Sequence, residues 1–320
     1  MNLVNKFLGL ITIPVILFST GLYFNGQNTC QLNISGSYKV RSTIIKNVDD
    51  SLDGEILPIP NALVKVERKN CNLCKWKTVF EKRTDSKGKF SYGSIITGNA
   101  CKNGLKLRAK IKLQSSEIEM RGESTTDEFG SNPIWYLSGM LSKDECSNNS
   151  PCDFKEMIFH DNGKYDLKKS TAQGQADIWF FYNWASLKMD NLNHPLSPNK
   201  DIIKVIYPLN RLLIPNSIEG SYVNPLNKIV HIHKDHLRFD VVMHELAHLW
   251  AFNHTTGESM MKDYLIKKLS THELVSNPAV AFHEGFADFW MMSLKNIYLQ
   301  EKGLQTKKPE IILKNIYTKK

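Results

Sequence analysis

The chain has 320 residues, a net charge of +9 at pH 7 and 42% hydrophobic residues. This length is sufficient for two domains, and the apolar content is ordinary for a soluble protein with a sizeable core. A net positive charge can indicate a nucleic-acid partner, but the lysines and arginines are scattered and no nucleic-acid-binding module is recognisable. The composition therefore favours a solvated basic surface and argues against a nucleic-acid-binding function.

Residues 1–26 are typical of a targeting segment. Lys6 supplies the positive charge, and the residues from Phe7 to Phe18 are apolar apart from an interrupting proline. We predict a cleaved signal peptide and hence a secreted or extracytoplasmic protein. The alternative is an uncleaved anchor at residues 7–24, because about 18 apolar residues are borderline for a membrane-spanning helix. No other stretch is long enough to span a bilayer.

Six cysteines follow the targeting segment and precede the second half of the chain. An even number of cysteines in an exported chain predicts disulfide bonds, although the sequence does not choose the pairing. The pair Cys71 and Cys74, separated by two residues, could instead be half of a zinc knuckle, but no second pair has the matching spacing. The six are Cys30, Cys71, Cys74, Cys101, Cys146 and Cys152.

Residues 27–122 are predicted to form an all-β accessory domain. Apolar and polar residues alternate over 34–40, 61–67 and 105–113, which is the period of half-buried strands. Turn residues at the start of 84–92 separate two further strand-like pieces. The region resembles transthyretin-like or carboxypeptidase-regulatory-like β-sandwiches. That resemblance implies a spacer, or a module that binds a partner or the substrate.

The second half of the chain has a different pattern. Residues 123–160 are polar and poorly periodic, and we predict a linker there. Residues 161–320 are predicted to be a catalytic domain of the α+β class, with a mixed sheet and long helices. Residues 171–189 favour an aromatic-rich helix whose aromatic side chains belong to the core. Residues 202–207 and 228–233 favour strands.

The segment from Asp240 to Trp250 contains the pattern H-E-x-x-H, with its histidines at 244 and 248. Residues four apart lie on one face of a helix, so His244 and His248 can bind the same ion. Imidazole nitrogens at this spacing suit zinc. Glu245 is not needed as a ligand and can act as general base on a zinc-activated water. Asp240 is predicted to be the helix N-cap.

A second motif runs from His283 to Asp288. A hydrolytic zinc site usually has three protein ligands and an open position, and Glu284 is the best third ligand. Pro278 is expected near the first turn of this helix. Glu284 and Asp288 then lie on one face, where Asp288 can accept the free N–H of a ligand histidine and fix its tautomer.

Two other histidines compete with Glu284 for the third position. His283 is its neighbour, but helical geometry turns it about 100° away. His254 falls where H-E-x-x-H-x-x-G-x-x-H proteins have their third histidine. Ala251 replaces the glycine of that pattern, however, and alanine suits a left-handed turn poorly. His254 is the second choice.

The two motifs, together with the lead-in Asp240-Val-Val-Met-His-Glu, resemble the gluzincin clan of zinc metallopeptidases, the thermolysin-like enzymes. The resemblance covers roughly residues 171–299. It implies Glu284 as third ligand, Glu245 as base and Asp288 as the residue that orients a ligand histidine. It also implies that the strand at 228–233 is the sheet edge that pairs with extended substrate.

Two family features are not matched by a motif. The spacing from His248 to Glu284 is longer than in short members, which predicts an insertion. Family members also carry an oxyanion-binding Tyr or His, often in a C-terminal helical subdomain, and only a short tail follows Asp288. Tyr264, His231 and His233 are candidates, although an exposed pair is the simpler interpretation of the two histidines.

The sequence thus predicts an exported peptidase that binds one Zn²⁺ ion and hydrolyses peptide or protein substrates, with Glu245 as the general base. The alternative is a surface or adhesion protein whose peptidase-like domain binds without cutting. The presence of Glu245 favours the first hypothesis, because a binding site does not need the base.

Overall fold

The structure is a computed structural model that describes residues 29–97, 105–123, 130–146, 151–198, 201–209, 220–224, 227–254 and 278–306. The predicted targeting segment at 1–26 lies outside the described residues. Within the described ranges, no helix is both long and apolar enough to cross a membrane. The elements are β1 (Thr29–Arg41), β2 (Ile56–Pro58), β3 (Leu63–Lys69), β4 (Lys77–Arg83), β5 (Lys89–Thr97), β6 (Lys106–Lys112), β7 (Ile118–Arg121), β8 (Tyr136–Leu141), β9 (Cys152–Phe159), α1 (Ser170–Asn191), β10 (Ile203–Leu209), β11 (Tyr222–Asn224), β12 (Ile229–His233), α2 (Phe239–His254) and α3 (Pro278–Glu301).

Two four-stranded sheets form the N-terminal part. In the first, β1 pairs with β2, β5 and β9; the second has the order β4-β3-β6-β8. The sheets face each other, since Tyr38 of β1 hydrogen-bonds Ser138 of β8 at 2.5 Å and Phe90 contacts Phe80. Alternate residues of β3 and β6 are buried, as their alternating sequences predict. The strands predicted at 34–40, 61–67 and 105–113 are confirmed.

The stretch predicted as a linker is not a linker throughout. β8 pairs antiparallel with β6, and β9 pairs parallel with β1, so each completes one of the two N-terminal sheets. The sequence pattern misses β9 because its alternation is broken. The register with β1 shifts between Ser35 and Ser37, and Lys155 has a positive φ of 58°. One irregular residue of this kind reverses which side chains face inward.

The third sheet has the order β11-β12-β10-β7. β7 and β12 both run parallel to β10, and β11 runs antiparallel to β12. β7 lies inside the predicted accessory domain at 27–122, yet it belongs to this later sheet. The expectation that the strand at 228–233 forms the sheet edge is wrong, because β11 covers β12. The short strand β11 occupies that edge.

Helix α1 confirms the predicted aromatic helix and joins the two parts of the molecule. Trp179 and Tyr182 are fully buried. The Trp179 indole donates a 2.7 Å hydrogen bond to the carbonyl of Pro60, and Asp177 accepts from both the backbone and the hydroxyl of Thr43. One continuous hydrophobic core runs through all three sheets and the helices. The described chain is therefore of mixed α+β class.

The cysteines are oxidised, as an exported chain predicts. Cys71 is bonded to Cys74, and Cys146 is bonded to Cys152. Cys30 is also disulfide-bonded, and no described cysteine is free; Cys101 lies outside the described residues. The zinc-knuckle alternative for Cys71 and Cys74 is wrong. Disulfides of this kind indicate an oxidising, extracytoplasmic compartment.

Candidate metal centre

Helix α2 presents the first motif. Val242, Leu246 and Leu249 are buried at helical spacing, which leaves His244 and His248 together on another face. The helix begins at Phe239, so Asp240 is in the first turn and is not the N-cap. Its carboxylate accepts a 2.6 Å hydrogen bond from Arg238, and a negative charge there also complements the helix dipole.

Helix α3 presents the second motif and begins at Pro278, near where the proline predicts it. It packs directly on α2. Ala287 is fully buried, and the Phe286 ring stacks on Trp250 of α2 with centroids 5.6 Å apart. This packing places Glu284 and Asp288, which are one helical turn apart, against His244.

Three ligand atoms converge between the helices. His244 Nε2 is 3.0 Å from Glu284 Oε2 and 3.1 Å from His248 Nε2, and the third side of the triangle, from His248 Nε2 to Glu284 Oε2, is 3.5 Å. Tetrahedral zinc with bonds of about 2.0–2.2 Å sets neighbouring ligand atoms about 3.3–3.6 Å apart. The longest side of the triangle falls in this range and the other two are slightly shorter, so small movements of the side chains would fit one zinc ion. Two nitrogens and one carboxylate oxygen are donors that zinc accepts.

The ring of His244 lies between two carboxylates. Its Nδ1 is 3.0 Å from Asp288 Oδ1, on the side opposite Glu284. If Nδ1–H donates to Asp288, the Nε2 lone pair faces a carboxylate oxygen, which is favourable only with a cation or a second proton between them. Burial disfavours the imidazolium, yet hydrogen bonds to Asp288 and Glu284 outweigh burial and raise the pKa of His244 to about 10. The surroundings thus favour positive charge at Nε2.

Glu245 follows His244 directly in the sequence, but it does not contribute one of the three atoms of the triangle. It is buried, and its charge contributes to raising the pKa of His244. Following His244 directly, it is turned about 100° around the helix axis from that ligand. A carboxylate beside the ligand set, rather than within it, can accept a proton from a water that approaches the open side of the triangle.

The structure brings neither competing histidine into the triangle. Helix α2 continues through Ala251, so the turn that would deliver His254 does not form; its Nδ1 lies 3.0 Å from the Trp250 carbonyl. His283 is buried next to Phe252, with ring centroids 6.0 Å apart, and burial lowers its pKa. Among the described residues, only His244, His248 and Glu284 form a group able to hold a metal ion.

The two histidines of β12 are not an exposed pair. His231 and His233 are 5% and 4% exposed, because β12 is an inner strand. His231 stacks on Tyr222 of β11 at 4.4 Å, and burial lowers the pKa of His231 to about 4. The sequence carries no recognisable signal for Tyr222, because a strand of three residues is too short to show an alternating pattern. Tyr264 lies outside the described residues.

Comparisons with known proteins do not place the chain in a family. No protein-family model and no curated protein matches it. One solved structure that matches is the crystal structure of a 9R-lipoxygenase from Cyanothece PCC8801, with 14% sequence identity and a TM-score of 0.22. The match covers 59% of this chain and 26% of the lipoxygenase chain. At this TM-score the likeness supports no structural conclusion.

Proposed function

We propose that the protein is an exported zinc peptidase of the gluzincin type. The observation that carries this proposal is the triangle of His244, His248 and Glu284, whose sides of 3.0, 3.1 and 3.5 Å are close to those of a site for one zinc ion. Asp288, on the far side of His244, is placed to fix the ring so that its Nε2 lone pair points into the triangle.

The chain's own residues supply the proton transfers. Zinc held by the triangle would make a water acidic near neutral pH and polarise a peptide carbonyl. Glu245 accepts the proton of that water as it attacks the carbonyl carbon, and then delivers it to the leaving amine nitrogen. The carbon–nitrogen bond breaks as the proton taken from the water passes to the amine, and the Glu245 carboxylate is regenerated.

The neighbouring elements supply a place for an extended substrate. The short strand β11 is the edge of the sheet that leads through β12 into α2. An edge strand can pair with a peptide through main-chain hydrogen bonds, which tolerate many side chains. The two facing N-terminal sheets would act as a β-sandwich accessory module, and the disulfides suit secretion.

Cleavage of a peptide library by the full chain tests the proposal. We expect zinc-dependent cleavage by the wild-type protein and its loss, by about 10²-fold or more, in Glu245→Gln, because general-base catalysis contributes about 10²–10⁴-fold. Glu81→Gln on the surface strand β4 is the matched control and should retain full activity. A zinc-loaded wild-type protein that cuts no peptide would overturn the peptidase proposal and favour the alternative of a binding protein.

A further inference from the structure

The connection between β3 and β4 carries a fully exposed apolar side chain. Residues 70–76 form the tip of this hairpin, closed by the Cys71–Cys74 disulfide and by a 3.2 Å hydrogen bond from the Cys74 amide to the Cys71 carbonyl. Leu73, inside that closed turn, is 98% exposed. The disulfide holds the turn rigid, so burial of Leu73 against a partner would cost little backbone entropy.

The hairpin tip is also strongly basic. Residues 68–77 contain Arg68, Lys69, Lys75 and Lys77 and no carboxylate. The adjacent acid, Glu67, is already bound by Arg108 at 2.6 Å and by Lys110 at 3.1 Å. The cations of the tip are therefore not neutralised by that carboxylate, and a partner of negative charge would complement them.

Trp76, three residues after the exposed leucine, lies against two of the nearby cations. The Arg108 guanidinium lies over its ring at 4.4 Å and the Lys69 ammonium at 5.8 Å. Tryptophan and lysine both have an apolar body with a polar end, and they are favoured where an apolar phase meets water. A fully exposed leucine, a partly buried tryptophan and exposed lysines within five residues are the residue types that a lipid headgroup region favours.

A second exposed apolar residue and the start of β1 lie at the same end of the sheets. Phe80 of β4 stacks on Tyr92 of β5, with ring centroids 4.6 Å apart. After the turn that joins them, β5 therefore runs back alongside β4 in the opposite direction. The end of β5 therefore lies near the hairpin tip; there Ile95 is 73% exposed and Thr97 pairs with Thr29. In the sequence, the apolar stretch 7–24 precedes Thr29 by five residues.

We propose that this hairpin tip contacts an anionic lipid surface, with Leu73 inserted at the acyl boundary and the lysines among the headgroups. Charge complementarity selects anionic lipid, since each basic residue close to such a surface strengthens binding about fivefold. A single apolar side chain gives only weak membrane binding by itself. The role of this contact is therefore to orient the protein on the membrane and not to anchor it there. The contact is independent of the metal centre and would present β1 with its first residue toward the lipid.

The test measures the depth of position 73 in the full chain. A Leu73→Trp variant is mixed with phosphatidylglycerol vesicles that carry brominated acyl chains, and its tryptophan fluorescence is compared with that of the wild type. We expect additional fluorescence that shifts to the blue and is quenched by the bromines. A matched Leu187→Trp variant, on an exposed position of α1, should add fluorescence that is not quenched.

Charge dependence separates lipid binding from other causes. In the Leu73→Trp background, Lys75→Glu with Lys77→Glu should abolish most of the quenching, as should zwitterionic phosphatidylcholine vesicles. Lys87→Glu with Lys89→Glu, at the turn that joins β4 to β5, should leave the quenching unchanged. Because each comparison keeps residues 1–26, an anchor there cannot produce the difference. Equal quenching at positions 73 and 187, or no quenching at either position, overturns the proposal. Quenching of equal size with anionic and zwitterionic vesicles also overturns it.

Discussion

At the scale of single residues, His244 is held by polar contacts on both sides of its ring. Carboxylates lie on both sides of its ring, Asp288 at Nδ1 and Glu284 at Nε2, each at 3.0 Å. A neutral imidazole cannot donate to both with one proton. The ring therefore requires either a second proton or a metal ion, and His248 Nε2 at 3.1 Å is placed to share a metal.

The first prediction concerns metal content. Full-chain wild-type protein should retain about one zinc ion after dialysis, because three protein ligands converge on one point. His248→Ala should lose that ion, whereas His254→Ala, from the last turn of the same helix, should keep it. Elemental analysis of the dialysed proteins measures the stoichiometry, with circular dichroism to verify folding. Equal zinc content in the two variants would contradict the assignment of the triangle.

The second prediction concerns Asp288. Asp288→Asn keeps an oxygen near His244 Nδ1 but removes the charge that supports the ligand, so zinc affinity should fall about 10–100-fold. Competition with a chromophoric chelator measures this affinity. Asp190→Asn, on the last turn of α1, is the control and should bind zinc as the wild type does. If Asp288→Asn also left the affinity unchanged, Asp288 would have no role in orienting the ligand.

At the scale of elements, the site depends on the packing of α3 on α2. Leu246 lies two residues from each of the two candidate ligand histidines, on the opposite, core-facing side of α2, and is 1% exposed. Leu246→Ala should lower the free energy of unfolding by about 2–5 kcal/mol, because it removes buried methyl groups and leaves a cavity. Leu187→Ala, at a 56% exposed position, should change it by less than about 0.5 kcal/mol. Urea denaturation of both variants checks the difference.

The sequence predicts the long, regular elements and misses the short or irregular ones. α1 and α2 are long elements of 22 and 16 residues rich in buried side chains, and burial alternates along all of β6 and the first half of β3. β11 has only three residues, and β9 is interrupted at Lys155. β11 is too short for a periodic pattern, and the alternation of β9 is broken; their pairing partners, β12 and β1, are later or distant in the chain.

The proximity of the candidate ligand residues follows from local information in the sequence. Helical spacing brings His244 and His248 together without tertiary structure, and likewise Glu284 and Asp288. The meeting of the two helices rests on motif resemblance, since no periodicity within either helix specifies its partner. The surroundings of His231 could not be foreseen, because its burial depends on the unpredicted strand β11.

At the scale of the whole molecule, Asp177 joins the two predicted domains. It lies on α1, is fully buried and accepts hydrogen bonds from Thr43, which follows β1. Burial raises the pKa of Asp177 to about 6, and the hydrogen bonds offset only part of that shift. A carboxyl whose pKa is higher in the folded than in the unfolded state favours folding while protonated and opposes it when ionised.

The pH dependence of the free energy of unfolding tests whether the buried Asp177 carboxylate destabilises the fold. The penalty from Asp177 should be absent below pH about 3.8, grow as pH rises to about 6 and then reach about 3 kcal/mol, the equivalent of about two pKa units. In Asp177→Asn the penalty should disappear, so this variant should gain stability relative to wild type between pH 4 and pH 7. Unfolding free energies from urea titrations at several pH values provide the comparison. A constant difference between the two proteins across that range would contradict the buried-carboxylate interpretation.

The pairing of β1 with β9 has a consequence for how the chain folds. These strands are 118 residues apart in sequence, as the bond from the Ser35 hydroxyl to Asp153 illustrates, and contacts of such separation form slowly. During synthesis β1 must remain without this partner until residue 159 has followed. Until then the edge of β1 that β9 will cover is open to wrong pairings. The order of synthesis thus places this period of exposure before any of the proposed metal ligands has been made.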